Sequence, residues 1–189
     1  AGAVLQLGTA ATAEAAGDEP EGDVAILNFA LTLEYLQAAF YTEVERINAV
    51  TGEAAHLAKV VGGHERDHVR SLRRVLGSGA VARPRFDFRG ATESQDAFVR
   101  TAVAFEDLGV SAYKGQAPRI VSPTYLAFAL SIHAVEARHA AWIRRIAGVL
   151  PAQSAFDQPA TAAHVLEVVD STHFILGPTQ ANGMPGFTG

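Results

Sequence analysis

The sequence predicts an all-α fold: a four-helix bundle with one long crossover, a short fifth helix and extended tails. Three observations carry this expectation. Apolar residues recur at spacings of three and four through four long stretches, and no stretch alternates convincingly with period two. Residues that start or stop helices bound each stretch. The connections are unequal: the first and second stretches are tightly joined, as are the third and fourth, while the second and third are separated by about fifteen residues.

Taken in order, residues 14–23 are polar, contain Gly17, Pro20 and Gly22, and read as a linker ending in a helix N-cap at Asp23. The first helix runs from Val24 to about Val50, with Leu27, Leu31, Tyr35, Ala38 and Tyr41 on one stripe, and Thr51-Gly52 ends it. The second runs from about Glu53 to Leu76 and stops at Gly77. Residues 77–91 form the crossover, which Phe86 and Phe88 are expected to pin to the bundle. Fully extended, it spans on the order of 50 Å, enough to run the length of a 25-residue helix, about 38 Å. Thr92 with Gln95 suggests a capping box for the third helix, which runs to about Lys114. Ser122-Pro123 opens the fourth, which ends near Ile146 before Gly148. A short helix from about Ala160 to Phe174 follows Pro159. The chain thus divides into an arm and linker (1–22), a bundle (23–150), and a short helix with a Gly/Pro-rich tail (151–189).

Composition narrows the functional classes. Of 189 residues, 49% are hydrophobic and 19% charged, which supports a packed core. The chain has no Cys, so disulfides, thiolate metal sites and Cys nucleophiles are excluded. A net charge of −5 gives no basic surplus for a nucleic-acid backbone. No window reaches the 18 or more uncharged apolar residues of a membrane span. The apolar start, Ala1 to Ala13, followed by Ala13-Glu14-Ala15, is similar to the tail of a secretory signal, so export is the expected location, with a plain Ala-rich arm in a cytoplasmic protein as the alternative. The Ala-rich start and the end from Gly177 have little of their own to bury. They are expected to dock against another copy of the chain or a larger assembly.

The chemistry lies in an internal repeat. Glu34 and Tyr41 recur 72 residues later as Glu106 and Tyr113, and Glu65 and His68 recur 71 residues later as Glu136 and His139. Each half is therefore a Glu, a Tyr seven residues on, and then Glu-x-x-His. Residues three or seven apart share a helix face, so each Glu-x-x-His can reach one point. At 1.5 Å per residue, Glu34 and Glu65 lie about 25 and 21 Å from the first turn. Glu106 and Glu136 lie about 20 and 26 Å from the second, so all four converge near mid-height. Burying one unpaired charge already costs several kcal/mol. Four carboxylates in a core therefore call for cations, and two divalent ions balance them. Mixed oxygen and nitrogen ligation suits Fe or Mn and tolerates Zn.

One Glu on each of two helices plus Glu-x-x-His on the other two is the ligand pattern of di-iron and di-manganese carboxylate bundles. Over about residues 23–150 the chain resembles the ferritin-like superfamily, most closely the ferritin-like-domain family that includes desiccation-related proteins, many of them exported. The stretches Leu27–Tyr35, Glu65-Arg66-Asp67-His68, Phe105–Val110 and Val135-Glu136-Ala137-Arg138-His139 carry the resemblance. It implies a dinuclear metal site, with Glu34 and Glu106 as terminal ligands, Glu65 and Glu136 bridging, and His68 and His139 as nitrogen donors. It also implies an oxidoreductase acting on oxygen or peroxide in stress protection: a ferroxidase, a peroxidase or a manganese-catalase-like enzyme. The competing expectation is an accessory subunit that uses the bundle as scaffold.

Other readings compete at single residues. His64-Glu65-Arg66-Asp67-His68 fits the H-E-x-x-H helix of zinc proteases, but the position matching His64 in the second half is Val135, so the repeat favours Glu-x-x-His and leaves His64 behind the ligands or on the surface. Tyr41 and Tyr113 are candidates to hydrogen-bond the ligand carboxylates. Trp142, one turn beyond His139, reads as packing before redox relay. His133 reads as partly exposed before extra ligand. Gly62 and Gly63, inside a helix, suggest a close helix approach or a local bulge.

Overall fold

The structure is a computed structural model, in which residues 19–176 are described. The Ala-rich start, its signal-like segment and the tail from Gly177, with the docking expected of them, lie outside the described residues. The elements are α1 (Asp23–Ile47), α2 (Gly52–Leu76), β1 (Arg85–Phe86), α3 (Gln95–Gln116), α4 (Pro123–Ile146), α5 (Ala162–Thr172) and β2 (Ile175–Leu176). As the helical periodicity requires, α1 packs chiefly on α2 and α3 on α4, and the two hairpins face each other.

Every residue of α1 from Ile26 to Tyr41 is buried. The helix is covered on all sides, which explains why it is apolar all round rather than striped. By length and composition α1 could cross a membrane, and 89% of that window is buried inside the bundle. Its burial accounts for its apolarity. The crossover lies along α1, held by the Asn28 side chain. Asn28 Nδ2 donates to Gly79 O at 2.8 Å, and Asn28 Oδ1 accepts from Val81 N at 2.9 Å. Phe88 is buried with its ring 5.5 Å from Phe40, and Phe86 stacks on Phe88, so the aromatic anchors act as expected.

Three helix boundaries and one strand pairing depart from the sequence expectation. Gly22, at φ 79°, is the N-cap of α1. Asp23 instead accepts from the N–H groups of Val121 and Ser122 at 2.7 and 2.8 Å, tying the start of α1 to the start of α4. The first helix ends at Ile47 because Asn48 takes the left-handed conformation, and Gly52 already belongs to α2. Ser94, not Thr92, caps α3 by accepting from Ala97 N at 3.3 Å. Thr92 is buried, and Gln95 turns away to accept from Thr51. Finally, β1 and β2 form a two-residue antiparallel ribbon pairing Phe86 with Ile175. So short a pairing leaves no period-two pattern to read.

The core does not stop at the fourth helix. Ala162, Val165, Leu166 and Val169 of α5 join the same buried cluster as Phe40, Phe98 and Phe105. The segment entering α5 crosses α3 at Gly115, where an added Cβ would sit 1.9 Å from the Ala160 carbonyl oxygen. Glu19 fastens the same corner, accepting from Gln116 Nε2 and from Ala162 N, each at 2.7 Å.

Candidate metal centre

One residue from α1 and one from α3 meet two from each of α2 and α4 at mid-bundle. Glu34, Glu65, Glu106 and Glu136 are all 0% exposed, and His139 is 3%. The helical i, i+3 spacing aims each histidine back at its own glutamate. His68 Nδ1 lies 3.2 Å from Glu34 Oε2, 3.4 Å from Glu65 Oε2 and 3.1 Å from Glu136 Oε1. His139 Nδ1 lies 3.0 Å from Glu65 Oε1, 3.4 Å from Glu106 Oε2 and 3.7 Å from Glu136 Oε2. Two clusters result, each with ligand atoms within 4.8 Å of one another: Glu34, Glu65, His68 and Glu136, and then Glu65, Glu106, Glu136 and His139. Glu65 and Glu136 belong to both. All six residues singled out in the sequence are thereby brought together.

The donor set fits cations. Among the described residues, both oxygens of Glu65, both of Glu136, Glu106 Oε2 and His139 Nδ1 are buried with no hydrogen-bond partner. Close approach without hydrogen-bond alignment is what atoms directed at a shared ion show, and leaving so many buried polar atoms unmatched would otherwise be costly.

The protonation of the cluster shows the same strain. Burial pushes Glu65 well above the usual carboxylate range, with repulsion from Glu136 and Glu34 adding to it. Burial also raises Glu106, to about 7, against the pull of His139. At Glu136 burial acts upward, but His139 and His68 override it and hold the carboxyl at about 2. Burial opposes charge on His139, yet Glu106, Glu136 and Glu65 push it up to about 12. His68 is raised in the same way by Glu136, Glu34 and Glu65. The surrounding carboxylates thus favour the protonated form of both imidazoles.

The tyrosines complete the site by exchange between hairpins. Tyr41 of α1 donates to Glu106 Oε1 of α3 at 2.5 Å, and Tyr113 of α3 donates to Glu34 Oε1 of α1 at 2.6 Å. Burial first, and then the carboxylate each one faces, raise both phenols well above their ordinary value, so they remain donors. The sequence placed each Tyr below the Glu of its own helix. The bond instead runs to the Glu of the other.

The remaining candidates fall outside the clusters. His133 belongs to neither, and its Nε2 is buried without a partner among the described residues. Trp142 donates to Glu53 Oε1 at 3.2 Å and faces His56 edge-on at 5.5 Å, a packing role at the mouth of the first hairpin. His64 does not join His68 around an ion, as a zinc-protease helix would require. Its Nδ1 lies 2.9 Å from His139 Nε2, on the outer side of that ring.

Two participants were not singled out in the sequence. Gln37 is buried beside Gly109, where an added Cβ would sit 3.4 Å from Glu136 Oε2 and 3.5 Å from Gln37 Oε1. The available signal was position: Gln37 and Gly109 each lie one turn past a candidate ligand glutamate, in otherwise apolar stripes. Gly62 has a different role. A Cβ there would meet Tyr41 Cβ at 2.8 Å, so it lets α2 lie close against α1, whereas Gly63 faces open space.

A helical bundle that gathers four buried glutamates and two histidines at its centre is a carboxylate–histidine protein able to hold metal. The sequence model of the ferritin-like domain family matches residues 22–149, and the chain belongs to that family. No curated protein matches it.

Proposed function

We propose that the chain is a dinuclear Fe or Mn oxidoreductase that acts on oxygen or peroxide in stress protection. The observation that carries this reading is the pair of overlapping ligand clusters sharing Glu65 and Glu136, whose four oxygens have no other partner among the described residues. Glu34 and His68 would hold one ion, Glu106 and His139 the other, and the shared glutamates both. Two bound ions supply positive charge and electrons for reduction of a small oxidant.

The protein's own groups define what that oxidant meets. Tyr41 and Tyr113 fix the two outer carboxylates by charge-assisted hydrogen bonds, so those ligands do not swing freely. Leu33, Leu36, Gln37, Phe105, Leu108 and Gly109 line a cavity of about 10 Å³ alongside the cluster. That is room for about one water-sized molecule beside Gln37 and Gly109.

Elemental analysis of the natively purified protein tests the reading. About two Fe or Mn per chain is expected, with oxygen or peroxide turnover that is lost in Glu65→Ala and Glu136→Ala. No metal after anaerobic reconstitution with Fe(II) or Mn(II) would overturn it. Metal binding without turnover would move the function to that of a metal-stabilised scaffold.

A further inference from the structure

The two halves of the centre match in every ligand and in both tyrosines, but they differ around the histidines. His139 Nδ1 faces the carboxylates, while its Nε2 lies 2.9 Å from His64 Nδ1, with the ring centroids 5.2 Å apart and the ring planes within 16° of each other, edge to edge. His64 reaches across from α2 to the histidine of α4. The repeat places Val135 of α4 in the corresponding position toward His68, and an isopropyl group has no nitrogen to offer. Among the described residues no side chain bonds His68 Nε2.

An imidazole that ligates through Nδ1 while neutral must carry its proton on Nε2. His139 Nε2–H then donates to His64 Nδ1, which accepts as the Nε2–H tautomer and leaves its own proton on the outer edge of an exposed ring. That partner holds the ring plane of His139 and keeps its Nε2–H engaged, leaving Nδ1 as the nitrogen free to ligate, and a hydrogen-bond acceptor on the outer nitrogen makes the ligating nitrogen more basic. His68 receives neither effect. We infer that His64 is a positioning residue that makes the two metal positions unequal, so that the position at Glu106 and His139 fills first and more tightly than the position at Glu34 and His68. This rests on the metal-binding reading above and goes beyond it by ordering the two positions.

The test is stepwise titration of the metal-free protein with Zn(II), followed by calorimetry and by ¹⁵N resonances of the imidazole rings. The wild type is expected to bind in two resolved steps. The first equivalent should shift the His139 ring and leave it in its Nε2–H form, and the second should shift His68. Loss of such an outer partner typically costs about 10–100-fold in metal affinity, so His64→Val should weaken the first step by that factor and leave the second unchanged. His64→Gln, whose amide oxygen can still accept, should restore much of it. Val135→His supplies the missing partner to His68 and should tighten the second step.

Two equal steps in the wild type would overturn the inference while leaving the metal site standing, as would a first step seated at His68 or a His64→Val variant unchanged in both steps. A wild type that binds no Zn(II), Fe(II) or Mn(II) would instead remove the metal reading itself. His64 is exposed, so a folding failure is not expected of its variants, and their circular dichroism should match the wild type.

Discussion

Replacing Glu65 by Gln separates the cost of the empty site from the gain of the filled one. The Glu65 carboxyl is 0% exposed, with His139 Nδ1 3.0 Å and His68 Nδ1 3.4 Å away but neither aligned for a hydrogen bond. Its raised pKa means that the native state prefers it protonated. A raised folded-state pKa contributes stability below the unfolded value, near 4.5, and that contribution is lost as pH rises through the folded one. At pH 8 the wild-type apoprotein therefore bears a penalty that a neutral amide of the same shape does not. Metal-free Glu65→Gln should melt higher than the wild type at pH 8, and the advantage should shrink as pH falls toward 4.5. Metal reverses the order. At free Mn(II) 100-fold above Kd, each bound ion adds about 2.7 kcal/mol. Two ions add about 5.4 kcal/mol, which raises Tm by roughly 11–22 °C at 2–4 °C per kcal/mol for a chain of this size. Glu65 serves both clusters, so Glu65→Gln should lose nearly all of that gain, whereas Glu34→Gln, which touches one cluster, should keep about half. Differential scanning calorimetry with and without Mn(II), at pH 5 and 8, reads all four quantities. A Glu65→Gln apoprotein less stable than the wild type at pH 8, or one that retains the full metal shift, would refute the reasoning.

Three further outcomes follow from geometry already described. Gly62→Ala should destabilise by about 1–3 kcal/mol, because its Cβ overlaps Tyr41, while Gly63→Ala, in open space, should stabilise by up to about 1 kcal/mol; chemical denaturation compares them. Tyr41→Phe strips Glu106 Oε1 of its donor, and in the metal-loaded protein should cost about 1.5–3 kcal/mol, measured by the same denaturation with Mn(II) present. Loading the apoprotein with Zn(II) at pH 7 in weak buffer should release at least two protons per chain, one each from His68 and His139, seen with an indicator dye; uptake, or no change, would show that the empty site does not hold them.

Much of the molecule was legible because the signals were local. Ser122-Pro123 and Gly77 mark helix ends through their own backbone preferences, and the structure follows them. The repeated Glu, Tyr and Glu-x-x-His positions were legible because helical spacing alone puts them on a face and at a height. What was not legible depended on the partner across the bundle. Asp23 looks like a cap until the Val121 and Ser122 amides compete for its carboxylate. Thr92 looks like one until it is buried and Ser94 takes the role. The tyrosines point to the opposite hairpin because side chains inside a bundle aim across the interface, and single-helix geometry does not choose which facing glutamate they meet. His64 read as a residue behind the ligands or on the surface, but which histidine it would meet was not legible, because that partner lies 75 residues away on another helix.

The placement of α5 sets the order in which the chain can finish folding. The family segment ends at residue 149, yet the aromatic cluster of Phe40, Phe88 and Phe105 is closed by Phe174, and β1 finds its only strand partner among the described residues at Ile175. During synthesis the four bundle helices emerge first, at about 5–20 residues per second, with that apolar seam still open to water. Its last wall arrives only when residues 162–176 have left the ribosome. The nascent bundle thus passes through a window of about one to a few seconds as a hydrophobic surface. A stop codon placed just after residue 150 would make that transient state permanent, giving a chain with all six candidate ligands and an uncovered core that is prone to aggregate or to recruit chaperones.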